Sequence, residues 1–98
     1  MGYSTPSGGS HYERTYDGTI SAGASYTPVN GLVQYGTEST AANEIKPQIY
    51  NGTTWIDAIY FTTNLDYSHW YNVLFVSNNG NFRIYAANAK KVVVMRWY

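Results

Sequence analysis

The stretch Ile45-Lys-Pro-Gln-Ile-Tyr-Asn-Gly-Thr-Thr-Trp-Ile-Asp-Ala58 decides how this chain is read. Asn51-Gly52 supplies the two positive-φ positions of a type I′ turn, which joins two strands and fixes their register. A turn centred there predicts a hairpin of 44–50 with 53–61, in which Tyr50 faces Thr53, Gln48 faces Trp55 and Lys46 faces Asp57. Opposite charges suit facing positions, since such side chains are close neighbours across the ladder. Ile45, Pro47, Ile49, Ile56 and Ala58 share the other face. Strand side chains alternate between faces, so Ile45, Ile49 and Ile56 are expected to point into a core, and Tyr50 and Trp55 away from it. Pro47 cannot donate to a ladder, which argues for an edge strand or a bulge.

Outward from this hairpin, short β-rich runs alternate with turn clusters. Strands are expected at 13–20, 24–29, 32–35, 70–77, 82–87 and 91–98, with turns at 21–23, 30–31, 78–81 and 88–90 and loops at 36–43 and 62–68. Residues 1–12 are rich in Gly, Ser, Thr and Pro and read as a flexible N-terminal arm ahead of one domain, 13–98. A second hairpin centred on Asn79-Gly80 would set Phe82 opposite Ser77, Ile84 opposite Phe75 and Ala86 opposite Val73. Val73, Phe75, Phe82 and Ile84 then belong to the core. The other face, with Asn72, Leu74, Val76, Arg83 and Tyr85, is mixed, which implies partial cover by another segment or a subunit contact. In the last strand Val93, Met95 and Trp97 alternate with Val92, Val94, Arg96 and Tyr98. A strand apolar on both sides is either central in a sandwich or covered by a neighbouring chain. About eight short strands, with turn signals every 8–12 residues or so, predict an all-β antiparallel β-sandwich or jelly-roll-like barrel.

Composition narrows the function. The chain has 98 residues and no cysteine, so its stability must come from apolar burial, here dominated by 11 Tyr, 3 Trp and 3 Phe. Six basic residues balance six acidic ones, which argues against a general nucleic-acid or anionic-membrane surface. Arg83, Lys90, Lys91 and Arg96 all follow residue 80 with no acid among them. They read either as solvated strand ends or as a contact for a phosphate or an acidic partner. No run is apolar for long enough to span a bilayer, so no membrane insertion is expected, and no signal peptide is visible at the N-terminus.

Catalytic signatures are weak. His69 and Asp66 stand close in sequence, but a metal site needs three or four converging ligands. No Gly-x-Ser-x-Gly elbow supports a serine triad, and no glycine loop stands between a strand and a helix to cradle phosphate. Asn51-Gly-Thr53 fits the N-glycosylation pattern, although turn chemistry explains the same residues. No enzyme activity and no cofactor are expected. What remains is an aromatic surface. Gln48, Tyr50, Trp55 and Asp57 form an outward patch, extended by Tyr60 if the strand twists. Rings beside amide and carboxylate groups suit a sugar, and equally suit a protein interface, where Tyr and Trp are enriched.

The segments 17–26, from Asp17-Gly-Thr-Ile to Ala-Ser-Tyr26, Tyr50-Asn-Gly-Thr-Thr-Trp55 and Val76-Ser-Asn-Asn-Gly-Asn-Phe-Arg-Ile84 resemble small β-sandwich domains of phage and archaeal virus particles. The likeness covers residues 17–98 and consists largely of turn chemistry. It implies a non-enzymatic capsid, turret or tail protein that assembles as a homo-oligomer, alone or with other virion proteins. Such a protein would be found in the virion, or outside the cell after release. Leu74, Val76, Tyr85, Val92 and Val94 are the expected contact residues. The alternative is a carbohydrate-binding module or receptor-binding domain that uses Tyr50 and Trp55 on a glycan.

Overall fold

Period-two alternation around tight turns produces strands along the whole described chain. The computed structural model describes residues 11–38, 43–58 and 74–98. Among these, eight strands and no helix occur: β1 (Tyr12–Ile20), β2 (Ser25–Tyr26), β3 (Gly31–Thr37), β4 (Ile45–Tyr50), β5 (Trp55–Asp57), β6 (Phe75–Ser77), β7 (Phe82–Ala86) and β8 (Lys90–Trp97). They form two antiparallel four-stranded sheets, ordered β1-β8-β3-β6 and β2-β7-β4-β5. First pairs with last, second with seventh, third with sixth and fourth with fifth. That nesting is one long hairpin rolled up on itself, the winding of an eight-stranded jelly roll.

The core lies between the sheets. Ile20, Val33, Tyr35, Val92 and Val94 come from the first sheet, and Ile45, Phe82, Ile84 and Ala86 from the second. Aromatic stacks tie the layers together: Tyr16 on Tyr26 at 4.2 Å and Phe75 on Phe82 at 4.6 Å between ring centroids. Val92 and Val94 are therefore core residues with no exposed surface. β8 is central, between β1 and β3, and so its inward face is covered by the opposite sheet rather than by a neighbouring chain.

The Asn51-Gly52 hairpin forms, with its register moved by two residues. Tyr50 faces Trp55, Ile49 faces Ile56 and Gln48 faces Asp57. Gly52 alone takes positive φ, at 99°. Asn51 does not, because its side chain is used otherwise: Oδ1 accepts the N–H groups of Thr53 and Thr54. The loop therefore begins one residue later, with the Asn51 N–H donating to the Thr54 carbonyl. A two-residue shift preserves the faces, so Tyr50 and Trp55 still point away from the core. Ile45 and Pro47 are buried on the inward face. Ile49 and Ile56 share that face but remain 38% and 47% exposed.

Pro47 is not on an edge strand, because β4 lies between β7 and β5. Its carbonyl accepts the Ala58 N–H, so its missing N–H also faces β5. The return bond to Ala58 cannot form, and β5 stops at Asp57. The Asn79-Gly80 turn has the expected positive φ at both residues, 52° and 78°. It does not make a hairpin, since β6 pairs with β3 and β7 pairs with β4 and β2. The turn carries the chain from one sheet to the other. Phe75, Phe82 and Ile84 still meet in or against the core, as the alternation predicts, while Val73 lies outside the described residues. The expected arm also begins outside them; His11 and Tyr12 are already in the ladder, His11 exchanging backbone bonds with Tyr98.

Candidate functional site

The outward face of the sheet β2-β7-β4-β5 gathers polar, charged and aromatic side chains. Alternation puts Lys46, Gln48 and Tyr50 outward on β4, opposite to the buried Ile45 and Pro47. On β7 it puts Arg83 and Tyr85 outward, opposite to Phe82, Ile84 and Ala86. Trp55 and Asp57 follow on β5 by direct pairing with Tyr50 and Gln48. All four residues nominated from the sequence, Gln48, Tyr50, Trp55 and Asp57, therefore lie on one face of the sheet, where Gln48 is buried.

They are linked rather than merely adjacent. Gln48 Nε2 donates to Asp57 Oδ1 at 2.9 Å, and Gln48 Oε1 accepts from Arg83 Nε at 2.8 Å. Lys46 Nζ lies 3.7 Å from Asp57 Oδ2, so the pair expected to face each other meets diagonally, with Lys46 facing Tyr85 instead. The Arg83 guanidinium carbon lies 4.3 Å from the Trp55 ring centroid and 5.4 Å from that of Tyr85. Each such contact contributes about 0.5–1 kcal/mol at an exposed site. Tyr50 and Trp55 touch at 5.2 Å with their planes tilted by 52°, and Tyr50 is 43% exposed. A row Tyr50, Trp55, Arg83, Tyr85 thus crosses three strands.

Sequence reasoning leaves Arg83, with Tyr85 beside it, out of the patch and places it instead on the mixed face of the second hairpin. Alternation already separates it from Phe82 and Ile84. What local pattern does not contain is the pairing of Gln48 with Arg83 across β4 and β7, which are distant in sequence.

The five expected contact residues do not form one surface. Val92 and Val94 are in the core. Tyr85 is half-buried on the face just described. Val76 is 65% exposed on β6 in the other sheet, and Leu74 is half-buried just before it. Tyr60, Asp66 and His69 lie outside the described residues. Among the described residues no three His, Cys, Asp or Glu side chains converge as metal ligands, and no helix is long and apolar enough to cross a membrane. No protein-family model, curated protein or solved structure matches the chain.

Proposed function

We propose that this chain is a non-enzymatic structural protein of a virus or phage particle that assembles as a homo-oligomer. The observation that carries the assembly is the Ile49–Ile56 pair. Both residues lie on the inward face of their strands, yet both are more than a third exposed. Among the described residues both sheets end in three-residue strands, β5 and β6, which give little cover to an inward side chain. β5 is also the last strand of its sheet among the described residues, and an edge strand can pair with another chain. A two-fold contact there would bring four isoleucines together, each regaining about half of the 1.5–3 kcal/mol that full burial gives. The virion setting is supported by the likeness of residues 17–98 to particle domains and by the jelly-roll winding, which capsid proteins and lectins share. Light scattering across a dilution series tests the assembly. A discrete oligomer is expected, dispersed by Ile56→Asp to a folded monomer of 11.0 kDa. A wild-type monomer at every concentration overturns the reading.

A second reading, glycan binding, is favoured by the convergence of Gln48, Tyr50, Trp55 and Asp57 on one face. It requires no change in the first, since assembly would use Ile49 and Ile56 on the opposite side of the same strands. Tyr50→Ala should weaken binding to an oligosaccharide without altering the solution mass.

A further inference from the structure

Three of the four basic residues after position 80 hold a carboxylate of this chain. Lys90 lies 3.7 Å from Glu44, Lys91 lies 3.5 Å from Asp17, and Arg96 lies 3.1 Å from Glu13. Arg83 has no carboxylate among the described residues. Its Nε is fixed on Gln48, and its plane rests against Trp55 and Tyr85. Neither Nη nitrogen has a hydrogen-bond acceptor among the described residues. A guanidinium anchored at Nε, with both Nη groups unused by the described residues, is a fork matched to a planar carboxylate.

We propose that this face recognises an acidic sugar, a uronic or sialic acid unit of a glycan, with Arg83 Nη groups taking the carboxylate. The proposal rests on the glycan reading and names its ligand class. Charge supports it: of the three charged groups that the described residues place here, Lys46 and Asp57 pair with each other, and Arg83 has no carboxylate partner among them. The whole chain is neutral, so the attraction is local to this site. The rings divide the remaining work. Arg83 occupies a face of Trp55 at 4.3 Å, which makes Trp55 a positioning residue for the guanidinium. Tyr50, the more open ring, is left to stack on the sugar. Gln48 is the second positioning residue, through its bond to Nε.

Calorimetric titration of the full chain tests this with two acidic probes, trigalacturonate and sialyllactose, and their neutral counterparts, the carboxyl-reduced trisaccharide and lactose. A bidentate charge-assisted contact corresponds to about a ten- to hundredfold preference for an acidic probe over its counterpart. Arg83→Lys keeps the charge and loses the fork, so the preference should fall towards unity. Tyr50→Ala should weaken acidic and neutral probes alike. Arg83→Gln serves as a second variant, and thermal melts superimposable on wild type establish that either is folded. Equal affinity of the wild-type chain for acidic and neutral probes overturns the acidic-sugar proposal and leaves glycan binding standing. An unchanged preference in both Arg83 variants overturns the role of Arg83. Absence of binding to all four probes removes the glycan reading and this proposal together.

Discussion

Gly52 and Val94 show how differently single positions constrain this chain. At Gly52 φ is +99°, and a Cβ there would meet nothing within 4 Å, so the constraint is the backbone's alone. Gly52→Ala should cost about 1–2 kcal/mol, the penalty of a left-handed conformation for an L side chain, read as a lower urea midpoint with an unchanged slope. At Val94 the constraint is packing. The side chain has no exposed surface and faces Tyr16 and Tyr35 on the flanking strands. Val94→Asp would bury a carboxylate among apolar neighbours, a change of several kcal/mol that exceeds the margin of many small domains. Loss of the cooperative thermal transition is expected; a folded variant with wild-type melting would contradict the core assignment. Arg83 is a third case, a charge whose orientation is set by three neighbours from three strands.

Among the elements, β4 does most to position the site. It bonds to β7 on one side and β5 on the other, and so it joins Arg83 to Asp57 through Gln48. Pro47 limits β5 by withholding one donor. Pro47→Val should restore that donor opposite Ala58, and proton-exchange measurements should then detect a slowly exchanging amide at position 47. A fast-exchanging amide there would mean that β5 ends for another reason. Asn79-Gly80 shows why a turn does not define a hairpin. Two successive positive-φ residues reverse the chain locally, but whether the flanking strands pair depends on what else they can bond. Here β3 and β4 offer longer partners than β6 and β7 offer each other.

Across the sandwich, apolar residues are not evenly enclosed. Burial is complete where the long strands β3 and β8 lie beneath the opposite sheet, and it falls away at the inward pair Ile49 and Ile56. If that opening is closed by a second copy, stability must depend on concentration, because association stabilises the folded state by mass action. The wild-type melting temperature should therefore rise with protein concentration, and that of Ile56→Asp should not. Equal concentration dependence in both would place the contact elsewhere. The opposite face of the same sheet carries Tyr50 and Arg83, so assembly and ligand binding would not compete for surface.

Much of this was legible in order along the chain. Alternation marked the strands, their inward residues and the outward set of Gln48, Tyr50, Trp55 and Asp57, because strand geometry is local and has a period of two. Asn-Gly marked turns at 51–52 and 79–80 for the same reason, with both residues at positive φ only in the second. Strand order was not legible, since pairing energy depends on which distant segments meet rather than on the segments themselves. Only the tertiary structure could therefore turn the two apolar faces of β8 into one core face and one half-buried outer face, send Asn79-Gly80 between sheets, and bring Arg83 onto Gln48. The shift of the first hairpin by two residues was a closer contest. Asn51 could supply either a backbone conformation or a side-chain acceptor, and in the folded chain its side chain takes two N–H groups that its backbone would otherwise have left to the turn.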